Sequence, residues 1–402
     1  MKDALSVAYL FTTFPVASET FLQREVRAMK ALGLNADHYS LWDGEASFEG
    51  ITIKQLSIWQ LSRLPLECIY WFVRRPEVFG SFLRAISYRH PPNRTNSAEN
   101  FWGLVCALML ARPFLRKRYS GIHAVWGSMP ATTAWLIHQF TGIPWSSGAH
   151  AYDIFEDGGD WILSEKFRTV AFIHVSTRQA AERLIQLGVS ESKIQLIYRG
   201  LNALPVIARK HSDSVKKHFI SVGRLVPKKG FLHQLNIYAA LRDLGYLFTA
   251  DIIGEGPLRD QLDERIHHLG LQDYVFLRGH LSNEAVFDLL RSADVFLFTG
   301  IIAPDGDRDG LPNVIPEAMA SGVAVMAAPL PGVSEAVING KTGWWLPEAS
   351  AMVRAQFIMN GLADKKDCAR IRENARNWVE NHFIAAQNSK RLLALFQSHF
   401  DA

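Results

Sequence analysis

Cysteine is scarce. Cys68, Cys106 and Cys368 are the only three in 402 residues, and no two of them form a CxxC pair. That excludes a structural zinc site and a disulfide framework, and it suits a reducing cytosol. A charge excess of one sign is also lacking. Lys and Arg number 43 against 39 Asp and Glu, too small a surplus to imply nucleic-acid binding. Long apolar runs are missing too. The most lipid-like stretch, "FWGLVCALMLA" (residues 101–111), falls far short of the ~20 residues a spanning helix needs, and it reads as a buried core helix. The opening "MKDALSVAYLFTTFPV" has neither a positive n-region nor a small-residue cleavage site, so it reads as a buried first strand and not as a signal peptide. GxxxxGK[ST] appears nowhere, which excludes a Walker A loop. There is no low-complexity segment and no repeat of solenoid length.

What is present is alternation. Short apolar, β-branched runs are separated by amphipathic stretches, the pattern of βαβ units and parallel sheets. In the first half "LSVAYLF", "IHAVWG", "IPWSSGAH" and "FIHVST" read as strands. "SETFLQREVRAMKALG" reads as a helix with Ser18 as N-cap and Gly33 as its stop. In the second half "HFISVGRL", "FTADIIGEG", "YVFLRG", "DVFLFT" and "VAVMAA" are strands, each followed by a helix-like segment. "PLRDQLDERIHHLG" is the clearest helix, with Leu258, Leu262, Ile266 and Leu269 on one face. The length implies two domains. Residues 199–217 break periodicity and carry a Pro and a basic-polar tail, as a linker does. The expected division is 1–200, linker 201–217, and 218–385, with 386–402 as a terminal helix. Two successive doubly wound α/β domains with a cleft between them are predicted.

"PDGDRDGLPNVIPEAMASG" (residues 304–322) allows two readings. Asp305, Asp307 and Asp309 alternate before Gly310, as in a calcium loop. The bidentate Glu of such a loop belongs at position twelve, and that position, counted from Asp305, is Pro316; Glu317 comes one residue too late. In the other reading, Asp309 and Glu317, eight residues apart, are a carboxylate pair facing a sugar nucleotide. Glu317 then sits in the first turn of a helix, where a carboxylate is favoured and could accept both ribose hydroxyls. Gly310 permits close backbone approach. "VGRLVPKKGF" puts Arg224 at a strand end and Lys229 before a new helix, which suits a diphosphate and reads equally as a solvated basic turn. "DIIGEGP" offers Gly254 and Gly256 in a turn after a strand, a weaker signal.

In order and spacing the second half, from "SVGRLVPKKGF" through "IIGEGPLRDQL" and "VFLRGHLSNEAVFDLLRSADVFLF" to "PGVSEAVINGKTGWWL", resembles the retaining glycosyltransferases of family 4, which have the GT-B fold. "FPVASETFLQREVRAMKALG" and "SSGAHAYDIFEDG" resemble the subgroup building colanic-acid and amylovoran exopolysaccharide units. The resemblance implies that Asp309 contacts the donor hexose and Glu317 the nucleotide ribose, with Asp309 standing where the family usually has Glu. It implies that Arg224 and Lys229 neutralise the donor diphosphate in place of a metal. Gly310, Leu311 and Pro312 match the backbone beside the hexose, and Gly254, Gly256 and His280 join the donor-binding set. His150 matches the histidine near the transferred sugar, with Asp153 three residues on. Glu19 and Thr20 lie on the first strand–helix turn, which lacks the family's Gly-Gly. "RGLN" (residues 199–202) departs from the family's Asn-Gly-Ile-Asp, and no role follows there. The resemblance places the last helix, "SKRLLALFQSHF", back on the first domain.

The implied reaction moves a hexose from a nucleoside-diphosphate sugar to a glycan or polyprenyl-diphosphate-linked acceptor, with retention and without metal or other cofactor. The rivals are a sugar-nucleotide 2-epimerase of the same fold and a degenerate sugar-nucleotide binder. Between residues 61 and 119, Arg63, Arg74, Arg75, Arg84, Arg89, Arg94, Arg112, Arg116, Lys117 and Arg118 interleave with aromatics. That suits peripheral attachment to an anionic membrane surface, and equally a helical insertion with a solvated basic face.

Overall fold

The computed structural model describes residues 5–17, 19–88, 90–150, 152–207, 215–304 and 306–400. Ser18, Arg89 and Asp305, each given a part above, lie outside the described residues. The chain divides into two compact units, Met1–Arg199 with Ala385–Ala402, and Gly200–Ile384.

The first unit carries β1 (Ser6–Phe14), β2 (Asn35–Gly44), β3 (Ser47–Phe48), β4 (Ile51–Gln55), β5 (Gly121–Ala124), β6 (Trp145–Gly148), β7 (Phe172–Val175) and β8 (Ile194–Leu196). They form one sheet in the order β3-β4-β2-β1-β5-β6-β7-β8, parallel apart from β3 against β4. β1 is apolar on both faces because both are covered. Val7, Tyr9 and Phe11 enter one core, and Ala8 and Leu10 enter the other. β2 is a strand that apolar periodicity does not show, since its inward positions include the polar residues His38 and Ser40. His38 stacks on Tyr9 with centroids 5.5 Å apart, and the Ser40 hydroxyl accepts the Phe14 N–H at 3.0 Å.

The run at residues 101–111 is the middle of helix Arg94–Lys117 and is largely buried, as a core helix should be. Asn93 caps this helix by accepting the Asn96 N–H at 2.8 Å. The terminal helix Ala385–Phe400 belongs to the first unit and sends Leu392, Phe396 and Phe400 into the core with Tyr9 and Phe172. Gly121 leaves room for it, because a Cβ there would stand 2.2 Å from the Phe400 ring.

The second unit is a parallel sheet of β9 (Lys217–Val222), β10 (Phe248–Ile253), β11 (Val275–Gly279), β12 (Val295–Phe298), β13 (Ala324–Ala327) and β14 (Trp344–Trp345). Its order is β11-β10-β9-β12-β13-β14. Helix Arg259–His268 buries Leu262 and Ile266, while Leu258 and Leu269 at its ends are only partly covered. Both sheets reverse winding direction beside their first strand, between β1 and β5 and between β9 and β12. In doubly wound sheets ligands bind beyond the carboxyl ends of the strands at such a point.

Candidate functional site

At the β9–β12 switch the chain leaves β9 through Arg224 and a short turn, Pro227–Lys229, before helix Phe231–Asp243. Gly230 makes this turn possible. It sits at φ +67, and a Cβ would lie 1.8 Å from the Thr299 carbonyl oxygen beyond β12. The Thr299 hydroxyl donates to the Gly230 carbonyl at 2.9 Å, and the Ile301 N–H donates to the Lys228 carbonyl at 2.9 Å. Beneath the turn the Gln234 amide donates to the Ser221 hydroxyl and to the Tyr238 hydroxyl, and Ser221 donates to the Leu297 carbonyl at 2.8 Å. A satisfied buried network of this kind holds the two strand ends in one geometry.

Lys228 and Lys229 are thereby presented to the loop after β12. Lys229 Nζ lies 2.7 Å from Asp309 Oδ2, with the two side chains 14% and 13% exposed, and Lys228 Nζ lies 2.8 Å from Asp307 Oδ2. Two consecutive lysines thus meet two alternate aspartates. The pairing takes both described carboxylates of the supposed calcium loop, and an ammonium group beside each is a poor neighbour for a divalent cation. Gly223 gives the Lys229 stem its space, since a Cβ there would come within 3.2 Å of Lys229 Cε. Arg224 on the same turn is exposed.

Glu317 lies in the first turn of helix Val314–Ala320 and is half-buried. Leu311 and Pro312 are buried just before that helix. Gly310 is pressed by the neighbouring turn, where a Cβ on Gly332 would stand 2.5 Å from the Gly310 carbonyl carbon. Gly254 (φ +140) and Gly256 (φ +157) pack against the backbone of Gly223 and Leu225, where Cβ atoms would stand 2.0 Å and 2.6 Å from carbonyl oxygens. Backbone packing alone therefore requires glycine at both positions. His280 is exposed at the end of β11.

In the first unit His150 follows β6 and is buried. Its backbone N–H donates to Asp153 Oδ1 at 3.1 Å, and the Gly127 N–H beyond β5 donates to Asp153 Oδ2 at 2.8 Å. Asp153 therefore clamps two strand-end turns. The His150 ring lies edge-on to Phe21, Trp126 and His174, with centroids 6.2, 5.5 and 4.7 Å away. Burial holds its imidazole well below the ordinary histidine range, and His174 and Arg199 add to the effect. Among the described residues His150 Nδ1 is buried without a hydrogen-bond partner. Glu19 and Thr20 are half-buried at the start of helix Thr20–Ala31.

Around His150 lies a polar cluster that the sequence reading passed over. The His174 ring packs on His123 at 5.5 Å, Glu25 Oε2 stands 4.0 Å from His174 Nε2, and the Arg199 guanidinium lies 3.3 Å above the Phe21 ring. Burial raises the Glu25 carboxyl to about 7, against an opposing pull from Arg199, and lowers the His174 imidazole to about 3. Three histidines at the ends of β5, β6 and β7 were a visible signal, since each belongs to a predicted strand. Arg199, left without a role by its departure from the family pattern, lies beside them. Lys228, the neighbour of Lys229 in "PKKG", had no signal in the sequence that set it apart from a solvated basic turn.

The region from residue 206 to 378 matches the family described as glycosyl transferases group 1. The chain carries a group 1 glycosyltransferase domain. Arg224, Lys229, Gly254, Gly256, His280, Asp309, Gly310, Leu311, Pro312 and Glu317 all fall within it. The chain is 25% identical to a putative colanic acid biosynthesis glycosyltransferase, WcaL, of Escherichia coli, covering 98% of this chain and 100% of that one. It is 31% identical to the amylovoran biosynthesis glycosyltransferase AmsK of Erwinia amylovora over 50% of each. A glycosyltransferase from Rickettsia africae superposes with TM-score 0.72 at 16% identity over 98% of both chains. Anabaena HepE in complex with UDP superposes equally, with TM-score 0.72 at 18% identity, over 98% of this chain and 100% of that one. The structural likenesses show the fold: two Rossmann-like units, as in GT-B proteins.

Proposed function

We propose that this glycosyltransferase moves a hexose from a nucleoside-diphosphate sugar to a glycan or polyprenyl-diphosphate-linked acceptor, with retention, in exopolysaccharide synthesis. The observation that carries the reading is the Lys229–Asp309 pair at the switch point of the group 1 domain. Support for the donor class comes from HepE, whose structures hold UDP and UDP-glucose. The names of the colanic acid and amylovoran relatives support the pathway class.

As the sugar–phosphate bond breaks, charge grows on the leaving diphosphate. Lys229, held at a strand end, and the exposed Arg224 beside it are the cations there, and stabilising that charge is the largest effect a site of this kind can supply. Lys229 is held by Asp309 in the ligand-free protein, so donor binding has Lys229 share its charge with the phosphates while Asp309 turns to a sugar hydroxyl. Glu317 takes the ribose hydroxyls. In the first unit the lowered pKa of His150 keeps its ring neutral, so it takes no proton. Attack comes from the face the diphosphate leaves, within an oxocarbenium-like ion pair.

The test is calorimetric titration with UDP- and GDP-hexoses, followed by NMR of the product's anomeric centre. Binding of none of them, or an inverted product, sinks the reading. Turnover is expected to survive EDTA, because Lys228 and Lys229 already neutralise Asp307 and Asp309. Complete loss restored by calcium or manganese would overturn the metal-free mechanism.

A further inference from the structure

Helix Leu64–Arg74 of the first unit is apolar on its outer side. Its inner side buries Trp71 and Glu67, and the buried Glu67 carboxylate is bridged by Arg112 at 3.1 Å and Arg63 at 3.4 Å. The outer side carries Leu66 (68% exposed), Ile69 (63%), Phe72 (60%) and Val73 (75%), with no charged residue among them. Leu66, Ile69 and Val73 fall on one helical stripe by their spacing. Trp59, 88% exposed, precedes the helix, and Tyr88, 80% exposed, ends the next helix, Pro76–Ser87. The C-terminal end of the stripe is basic. Arg74 stacks on Tyr70 at 4.9 Å and Arg75 lies 3.6 Å from Glu77, while Arg84 is exposed on the next helix.

An exposed stripe of this kind normally has an occupant. We propose that this face docks on an anionic lipid surface, with Leu66, Ile69, Phe72 and Val73 entering the acyl boundary and the arginines at the headgroups. Charge decides between lipid and a second copy of the chain. An isologous pair would set the same arginines against each other, and like charges oppose that contact. Anionic headgroups neutralise them instead, and exposed Trp and Tyr suit the interfacial zone. The structure also narrows the basic tract seen in the sequence. Arg112 is committed to Glu67, and Lys117 to Asp37, so neither belongs to the docking face. No helix among the described residues is long and apolar enough to cross a membrane. The attachment is therefore in the plane of the interface.

The experiment is flotation of the full chain with vesicles of phosphatidylcholine plus phosphatidylglycerol, and with phosphatidylcholine alone. Wild-type protein is expected to float with the mixed vesicles and much less with the neutral ones. The Leu66→Ser/Ile69→Ser/Val73→Ser variant, whose outer positions make no core contacts to lose, should partition about tenfold or more weakly at any salt. Arg74→Gln/Arg75→Gln should weaken binding about fivefold or more at low salt, and this difference should vanish at high salt. Three results overturn the proposal: wild type that stays soluble or floats equally on both vesicles, a triple variant that floats like wild type, or light scattering showing a stable dimer that the triple variant dissolves. UDP titration of the same proteins separates this outcome from the donor reading, because the stripe lies in the other unit.

Discussion

At the residue scale the second unit turns on which cation each carboxylate keeps. Glu317 stands in a helical first turn, and the proposed bonds from two ribose hydroxyls are charge-assisted. Such bonds contribute roughly 1.5–3 kcal/mol, so Glu317→Ala should weaken free nucleoside diphosphate binding by about 10- to 150-fold. Asp309→Asn should behave in the opposite way. It releases Lys229 from its 2.7 Å partner, so nucleoside diphosphate binding should hold or tighten while sugar transfer falls. Titration of the free nucleotide and of the full donor against both variants checks the contrast. Equal losses for the two would mean that the loop acts as one acidic cluster. Asp307→Ala breaks the outer pair with Lys228, and partly exposed pairs of this kind are worth within about 1 kcal/mol.

At the element scale the loop after β6 is secured by charge buried in the first unit. Lys166 Nζ meets Asp160 Oδ1 at 2.6 Å with neither side chain exposed, and it also donates to the Gly127 carbonyl at 2.7 Å and the Thr132 hydroxyl at 3.1 Å. Asp160 accepts the Asn100 amide at 3.0 Å, which ties the loop to helix Arg94–Lys117. Lys166→Met leaves a buried carboxylate without its ion, a change that costs about 3–5 kcal/mol. Lys166→Met with Asp160→Leu should regain part of that loss, since an apolar pair often does as well as a buried ion pair while the Asn100 amide and the Ile162 N–H lose an acceptor. Urea midpoints of the two variants measure it. A single variant as stable as wild type would mean that water reaches the pair. Nothing along the chain signals this pairing, because neither residue belongs to a motif and their further partners are distant in sequence.

At the scale of the whole molecule the buried imidazoles set the response to acid. Burial lowers His38 to about 4 and His174 to about 3, and holds His123 and His150 well below the ordinary value. Their folded values lie below the unfolded 6.5, so the unfolded chain binds more protons below that pH and stability falls as pH drops. Glu25 and Glu99, raised by burial to about 7, act in the opposite sense between 7 and 4.5. Four imidazoles outweigh two carboxyls in that window, so the thermal midpoint should be lower at pH 5 than at pH 6.5. His174→Phe should shrink the difference, and an unchanged midpoint in wild type would contradict the burial of these rings. By itself the sequence determined the α/β class, the strands β1, β5, β6 and β7 with β9 to β13, and the candidacy of Lys229, Asp309 and Glu317. Those features are local: apolar period, turn residues and spacing are written along the chain. The tertiary structure alone decided that Lys228 and Lys229 meet Asp307 and Asp309. It also decided that β2 pairs with β1 despite polar inward positions, and that His123, His150 and His174 share one buried cluster. Each of those depends on which strand ends lie side by side, and strand order is a property of packing that no stretch of sequence carries.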